Sequence, residues 1–177
     1  MACDLTLGRL EPCKTSNGGL VTAYFITSGL IDLSTVVYSV TNTDAIASIT
    51  GTITAVQYDL RGTNSFEQTI VSSRENGTTY FEQKLSLSLK KLTMKDHKEI
   101  KLLAYGRPQV IVKDNNGNLF FAGLAHGLEL TGGTITTGAK LGDHSGYTIE
   151  LSGSEPLPAS FLEGALSTVI DTITVGT

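Results

Sequence analysis

The sequence predicts a mainly β protein: a β-sandwich or small barrel with one flanking α-helix at about residues 94–105 and long hairpins or arms. Three observations carry this expectation. The block Tyr80–Gly123 reads strand, capped helix, strand, Asn-Gly turn, strand. Elsewhere the chain is built from Thr, Val, Ile, Ser and Gly, which suit strands and the turns between them. Convincing helix signals occur only inside that block. A chain of 177 residues is expected to form one domain, 1–177, burying about 70% of the surface its unfolded form exposes.

Residues 1–20 are mixed and carry a turn-like Ser16-Asn17-Gly18-Gly19. Val21–Ile26 reads as a short strand. The segment 27–51 suits strands or extended loops and is taken as an inserted arm. Thr52–Arg61 is a better strand whose apolar parity changes, Ile53 and Ala55 on one phase and Val56, Tyr58 and Leu60 on the other. Such a slip predicts a bulge. Ser65–Val71 and Thr78–Lys90 flank the polar, Gly-ended connector Ser72–Gly77, which predicts a hairpin. Both arms contain Phe-Glu-Gln, at 66–68 and 81–83; one match sets no repeat period. The second arm alternates cleanly. Phe81, Leu85, Leu87 and Leu89 share one face, and Glu82, Lys84, Ser86, Ser88 and Lys90 the other.

The helix follows, Met94–Tyr105. Thr93 is its expected N-cap, with Asp96 near the positive end of the dipole. Gly106 fits a left-handed position after the last turn, and Pro108 stops the helix from resuming. At 100° per residue Ile100, Leu103 and Ala104 form one stripe, with His97 beside it. Met94, Leu102 and Tyr105 fall off that stripe, so they are either an extension of the buried face or a second contact surface for a neighbouring subunit. Gln109–Lys113 and Leu119–Gly123 form a hairpin around Asn115-Asn116-Gly117-Asn118, where Asn-Gly tolerates positive φ. Gly127–Thr137 is a Gly/Thr-rich strand or loop, and Gly146–Ser152 alternates as a strand. Pro156 and Pro158 end the sheet. The tail 159–177 is of uncertain structure, with Leu166, Val169 and Ile170 suited to a short strand or helical turn.

The composition excludes some functions. A formal net charge of −4 argues against a DNA-coating protein, which would carry a basic face, yet suits a wall that DNA slides past without sticking. Cys3 and Cys13 do not make a disulfide framework. A bridge between them stays open beside the simpler reading of two reduced thiols. No run reaches the ~18 apolar residues of a membrane span, and the start, MACDLTLGRLEPC, lacks a basic segment followed by an apolar core. The expected site of synthesis and folding is therefore the cytoplasm.

No catalytic kit is visible, and no cofactor or metal is expected. His97, His126 and His144 show no zinc-binding spacing. Asp143-His144-Ser145 brings triad residue types together, but adjacent residues rarely reach triad geometry; a polar turn is the simpler reading. Gly127–Gly133 lacks the phosphate-loop pattern. Asp114–Asn118 resembles the start of a calcium loop but lacks the remaining ligands and the distal Glu. Lys90, Lys91, Lys95, Lys98 and Lys101 form a basic patch, either a solvated face or a match for an acidic neighbouring subunit.

The stretch 80–158 resembles bacteriophage tail-tube proteins and their relatives in tail-proximal rings, including those of crAss-like and other phages of Bacteroidetes. The carriers are the strand Tyr80–Leu87, the helix Leu92–Leu103 and the hairpin Val110–Gly117. Thr131-Gly132-Gly133, Gly142-Asp143, Ser145-Gly146-Tyr147 and Gly153-Ser154-Glu155-Pro156 add to them. The resemblance covers under half the chain. It implies a virion structural protein with no active site. Such proteins form hexameric or, near the portal, dodecameric rings, assembled in the bacterial host cytoplasm beside portal and tail proteins, with DNA passing non-specifically and no membrane involved. Heterologous contacts that close by rotation give a ring, and strand edges can extend a sheet between subunits. The hairpin 65–82 is the candidate interlocking element, with Phe66 and Phe81 as apolar anchors or as ordinary core. Met94, Leu102 and Tyr105 complete the candidate subunit interface. The alternative is a β-sandwich ligand-binding module, adhesin-like or carbohydrate-binding. Absent Trp weakens it, since sugars stack on aromatic platforms. A small hydrolase using His126 or His144 has less support still.

Overall fold

The computed structural model describes residues 7–11, 13–27 and 31–176. The elements in chain order are β1 (Leu20–Ile26), β2 (Val36–Tyr38), β3 (Ala45–Ile49), β4 (Thr54–Asp59), β5 (Ser65–Ser73), β6 (Thr78–Lys90), α1 (Met94–Tyr105), β7 (Val110–Asp114), β8 (Leu119–Ala122), β9 (Glu129–Thr136), β10 (Gly146–Glu155), β11 (Ser160–Leu162) and β12 (Thr172–Val175). They build a β-sandwich with one flanking helix. An eight-stranded sheet runs β12-β4-β1-β7-β8-β11-β3-β2, and a four-stranded sheet runs β5-β6-β10-β9.

Two cores follow from strand alternation. Ala23 and Phe25 of β1, and Val110 and Val112 of β7, face Leu85 and Leu87 of β6 and Ile149 and Leu151 of β10 between the sheets. Their sequence neighbours Tyr24, Ile26 and Ile111 point to the opposite face, joined there by Ile46, Phe121, Val169 and Ile170. The long sheet is thus apolar on both faces. It curls so that β3 and β4, near its two ends, share the second core.

This double burial explains the parity change of the fourth strand. Ile53 and Ala55 belong to the second core, while Tyr58 and Leu60 belong to the first. The register with β1 runs without interruption from Thr22↔Asp59 to Ile26↔Ala55, so the expected bulge is absent. A strand covered on both sides shows apolar residues on both phases.

The segment 27–51 is not a projecting arm within its described part. β3 places Ile46 and Ile49 in the second core and pairs in parallel with β11. Nor is the tail 159–177 free. β12 pairs in parallel with β4, and Val169 and Ile170 are buried behind a 3-10 turn at Leu166–Thr168. A Cys3–Cys13 pairing lies outside the described residues; Cys13 is exposed.

The helix begins as expected. The Thr93 hydroxyl accepts from the Asp96 N–H at 3.0 Å and donates to the Asp96 carboxylate at 2.7 Å, a reciprocal cap. Its end differs. Gly106 is extended (φ −101°), with its N–H on the Leu103 carbonyl, so Pro108 two residues on, rather than a left-handed glycine, explains the stop. Only Ile100 of the helix is fully buried; Leu103 is half-buried and Ala104 exposed.

The β7–β8 turn also differs in mechanism. Gly117 has φ +89° while Asn116 stays at negative φ. The organiser is Asp114, which accepts from the backbone N–H of Asn116 and Asn118 and from both side-chain amides. These bonds occupy the carboxylate, so the calcium-loop reading loses its first ligand. Partial burial pulls the Asp114 carboxyl upward, but the bonds from Asn118 and Asn116 outweigh it and hold it below the usual range. A depressed folded value stabilises the fold above the unfolded value near ~3.9 and loses that contribution as pH falls through the folded one. The thermal-melt difference between wild type and Asp114→Ala is therefore expected to be full above about pH 4 and to shrink below it. A difference independent of pH would assign the effect to turn geometry alone.

Candidate subunit interface

The longest hairpin, β5–β6, projects from the sandwich. β10 pairs with β6 only from Lys90 to Phe81, whereas β5 follows β6 to its end, Ser73↔Thr78. Beyond Phe81 the hairpin is two-stranded. In the register, Phe66 lies opposite Leu85 and Ile70 opposite Phe81, all on the inward side. Phe66 packs against the first core and its ring lies 6.3 Å from that of Phe120. It is the rim of the core rather than a free anchor. Phe81 is half-buried. The most exposed apolar residue of the hairpin is Ile70, at 68% against 38% for Tyr80, which composition alone did not single out. Its signal is the parity it shares with Phe66 on a strand whose outward side carries Glu67 and Thr69, with Val71 paired to Tyr80 at the hairpin end.

The paired Phe-Glu-Gln tripeptides have a structural use. Gln68 and Gln83 lie opposite each other on the inward side. The Gln83 side-chain oxygen accepts from the Gly123 N–H at 2.9 Å, and that of Gln68 from the Ala159 N–H at 2.7 Å. Each glutamine ties the small sheet to a connection between the two sheets. Two more buried polar side chains hold the loop 123–128, which carries the chain from one sheet to the other. Gln109 donates to the Leu124 carbonyl, and the Glu155 carboxyl accepts from the N–H of Ala125 and His126 at 3.0 and 2.8 Å. Among the described residues the only buried side-chain polar atom without a partner is the Asn64 amide nitrogen.

At the opposite edge of the small sheet α1 lies against β9. Met94 (94%), Leu102 (56%) and Tyr105 (83%) are exposed on it. The 100° projection places them within one face of about 80°, with Lys98 between them and Lys101 just outside. The five candidate residues are therefore not gathered in one molecule. Phe66 and Phe81 lie at the β5 edge, and Met94, Leu102 and Tyr105 at the β9 edge. Between α1 and β9 runs a groove of about 290 Å3 lined by His97, Ile100, Ala104, Leu130, Ile135 and Ile149, among others.

The outward face of the small sheet is polar. Glu67, Lys84, Ser86, Ser88, Thr148 and Glu150 alternate with the core residues, and Lys84 pairs with Glu150 at 3.1 Å across the strands. Both side chains are about half exposed, so the pair contributes little to stability. On the far side of α1, Tyr58 of β4 has its phenol pushed upward by burial and then by the acidic Glu99 and Asp96.

The histidines do not converge. The His97 ring lies 6.4 Å from that of Tyr147, tilted by 46°, and the exposed His126 lies 3.8 Å from Glu155. Asp143 faces the N–H groups of Lys140 and Ala139, whose hydrogen bonds hold its carboxyl below the usual range. It serves the 139–143 turn, its carboxylate taken up by those two N–H groups. Among the described residues no three His, Cys, Asp or Glu side chains are grouped to hold a metal ion, and no helix is long and apolar enough to cross a membrane.

No protein-family model, curated protein or solved structure matches the chain.

Proposed function

We propose that this chain is a virion structural protein, a ring or tube segment of a phage tail through which DNA passes. The observation that supports this best is the small sheet. Its edge strands β5 and β9 have nine and eight residues, and among the described residues no strand lies beside either outer edge. All neighbours in the sheet are antiparallel, and there are four strands, so its two edges run in opposite directions. β9 of one copy and β5 of the next then meet antiparallel, the commoner pairing. This is a heterologous contact, which closes into a ring when the rotation allows. The resemblance of residues 80–158 to tail-tube and tail-ring proteins points the same way.

In that ring the polar outward face of the small sheet lines the bore. Six copies would enclose a wall roughly 48 Å across at the backbone, taking strands ~4.8 Å apart and tilted by ~40°, enough for a DNA duplex. Twelve would double that width. Ser, Thr and Glu side chains, with Lys84 already paired, would let phosphates pass without holding them. The partners are further copies of the chain and the adjoining portal or tail proteins, and assembly takes place in the host cytoplasm.

Negative-stain microscopy of the purified protein is expected to show rings or short tubes with a central hole. Added salt is expected to weaken assembly, since the basic helix face meets an acidic hairpin and the screening length falls to ~3 Å at 1 M. Particles that remain single and compact at high concentration, together with absence of the protein from virions by mass spectrometry, would sink the proposal.

A further inference from the structure

Resting on the ring reading above, we infer that the groove between α1 and β9 is the seat for the β5–β6 hairpin of the next copy, with Ile70 as its plug. Strand alternation carries the argument. Side chains on one side of a sheet remain on that side across every paired strand. Leu130 of β9 packs on the inter-sheet core, and Ile135 lies opposite buried Tyr147. That is the side on which α1 sits. On β5 the same side carries Phe66 and Ile70. When β5 of a second copy adds to β9, its Ile70 emerges beneath α1, next to the Leu130–Ile135 row.

Both surfaces are prepared for this. Ile70 and Ile135 are isoleucines on edge strands, 68% and 56% exposed on the side of the sheet that carries the inter-sheet core. Gly133 has no side chain where the groove floor opens onto Ile149. A Cβ there would lie 2.7 Å from the Thr148 carbonyl.

Charge selects the same partner. The hairpin, residues 65–82, carries Glu67, Glu75 and Glu82 against Arg74 alone. The strand end and helix, residues 90–101, carry five lysines against Asp96 and Glu99. An acidic hairpin approaching a basic helix is steered into place. The two surfaces lie at opposite edges of one sheet, so a molecule cannot satisfy its own groove, and a second copy is the occupant.

The test uses the full chain with Ile70→Asp and Ala104→Asp, one change on each side of the contact and both at exposed positions. Mass photometry is expected to find each variant monomeric, with the assembly concentration raised at least ~30-fold, as for a buried unpaired charge. An equimolar mixture is expected to give heterodimers and nothing larger, because one intact hairpin then meets one intact groove. In a Cys3→Ser, Cys13→Ser background, Ile70→Cys with Ala104→Cys is expected to give, on oxidation, a covalent ladder that ends at the ring. Rings formed normally by Ile70→Asp, or rings without that cross-link, overturn the docking assignment and leave the ring reading standing. A wild-type chain that forms no ring at any concentration overturns the docking assignment, and its absence from virions as well overturns both.

Discussion

Glu155→Ala is expected to destabilise the protein by about 2–4 kcal/mol, a fall in Tm of roughly 4–16 °C for a chain of this size. Glu155 is a buried carboxyl at the end of β10, and its two oxygens accept from consecutive N–H groups, Ala125 and His126. Truncation leaves both donors facing a space from which water is largely excluded. Glu155→Gln keeps one acceptor and is expected to recover about half the loss. His126→Ala separates this effect from charge pairing. The imidazole is exposed and 3.8 Å away, so its removal is expected to cost no more than ~0.5 kcal/mol. Urea unfolding of the three variants decides the matter. Equal losses for Glu155→Ala and His126→Ala would mean that the ion pair, not the loop N–H groups, is what Glu155 supports.

Phe121→Ala is expected to cost about 3–5 kcal/mol, roughly a fifth or more of the stability of an ordinary domain. Phe121 is fully buried on β8, in the core formed where the long sheet curls over itself. Its neighbours come from strands near both ends of that sheet and from the C-terminal segment. Removing the ring leaves a cavity that relaxed strands cannot fill without breaking their pairing. Met94→Ala, a truncation on the exposed helix face, is expected to stay within ~0.5 kcal/mol. Denaturant midpoints check both. A Phe121→Ala loss below 1 kcal/mol would show that the second core collapses freely and does not hold the sheet's curl.

Local signals were legible where the chain speaks to its near neighbours. The alternation of Phe81–Lys90, the Thr93 cap and the Asn-Gly tip each resolve within a few residues, and the structure carries all three elements. The short strands were not legible. β2 and β11 have three residues each and β12 four, too few for a period, and β11 and β12 are held by parallel partners far away in sequence. Burial on both faces of β4 imitated a bulge. Turn chemistry misled in two places, since Gly106 and Asn116 suit positive φ yet adopt neither, the turn at 114–118 being set by the Asp114 carboxylate instead. Of the candidate interface, Met94, Leu102 and Tyr105 were readable from a helical projection because the helix has one buried residue and the rest follows by angle. Phe66 stood open between anchor and core, because the ring it packs near, Phe120, comes from a strand 54 residues on. Ile70 was passed over, because its exposure depends on where β10 stops, which no local pattern encodes.

The pairing of β12 with β4 has a kinetic consequence. Asp171, whose carboxylate accepts from the Ile53 N–H at 2.8 Å, lies 118 residues further along. At a synthesis rate of about 5–20 residues per second, the early strand waits roughly 6–24 s for its partner to leave the ribosome. Throughout that interval β4 has an open edge and the second core lacks Val169 and Ile170. Non-local pairing of this kind is slow to form, so the nascent chain is exposed to aggregation while it waits. Chaperone demand during translation should exceed that of the finished fold, and it should ease once the 169–175 segment is made and β4 gains its partner.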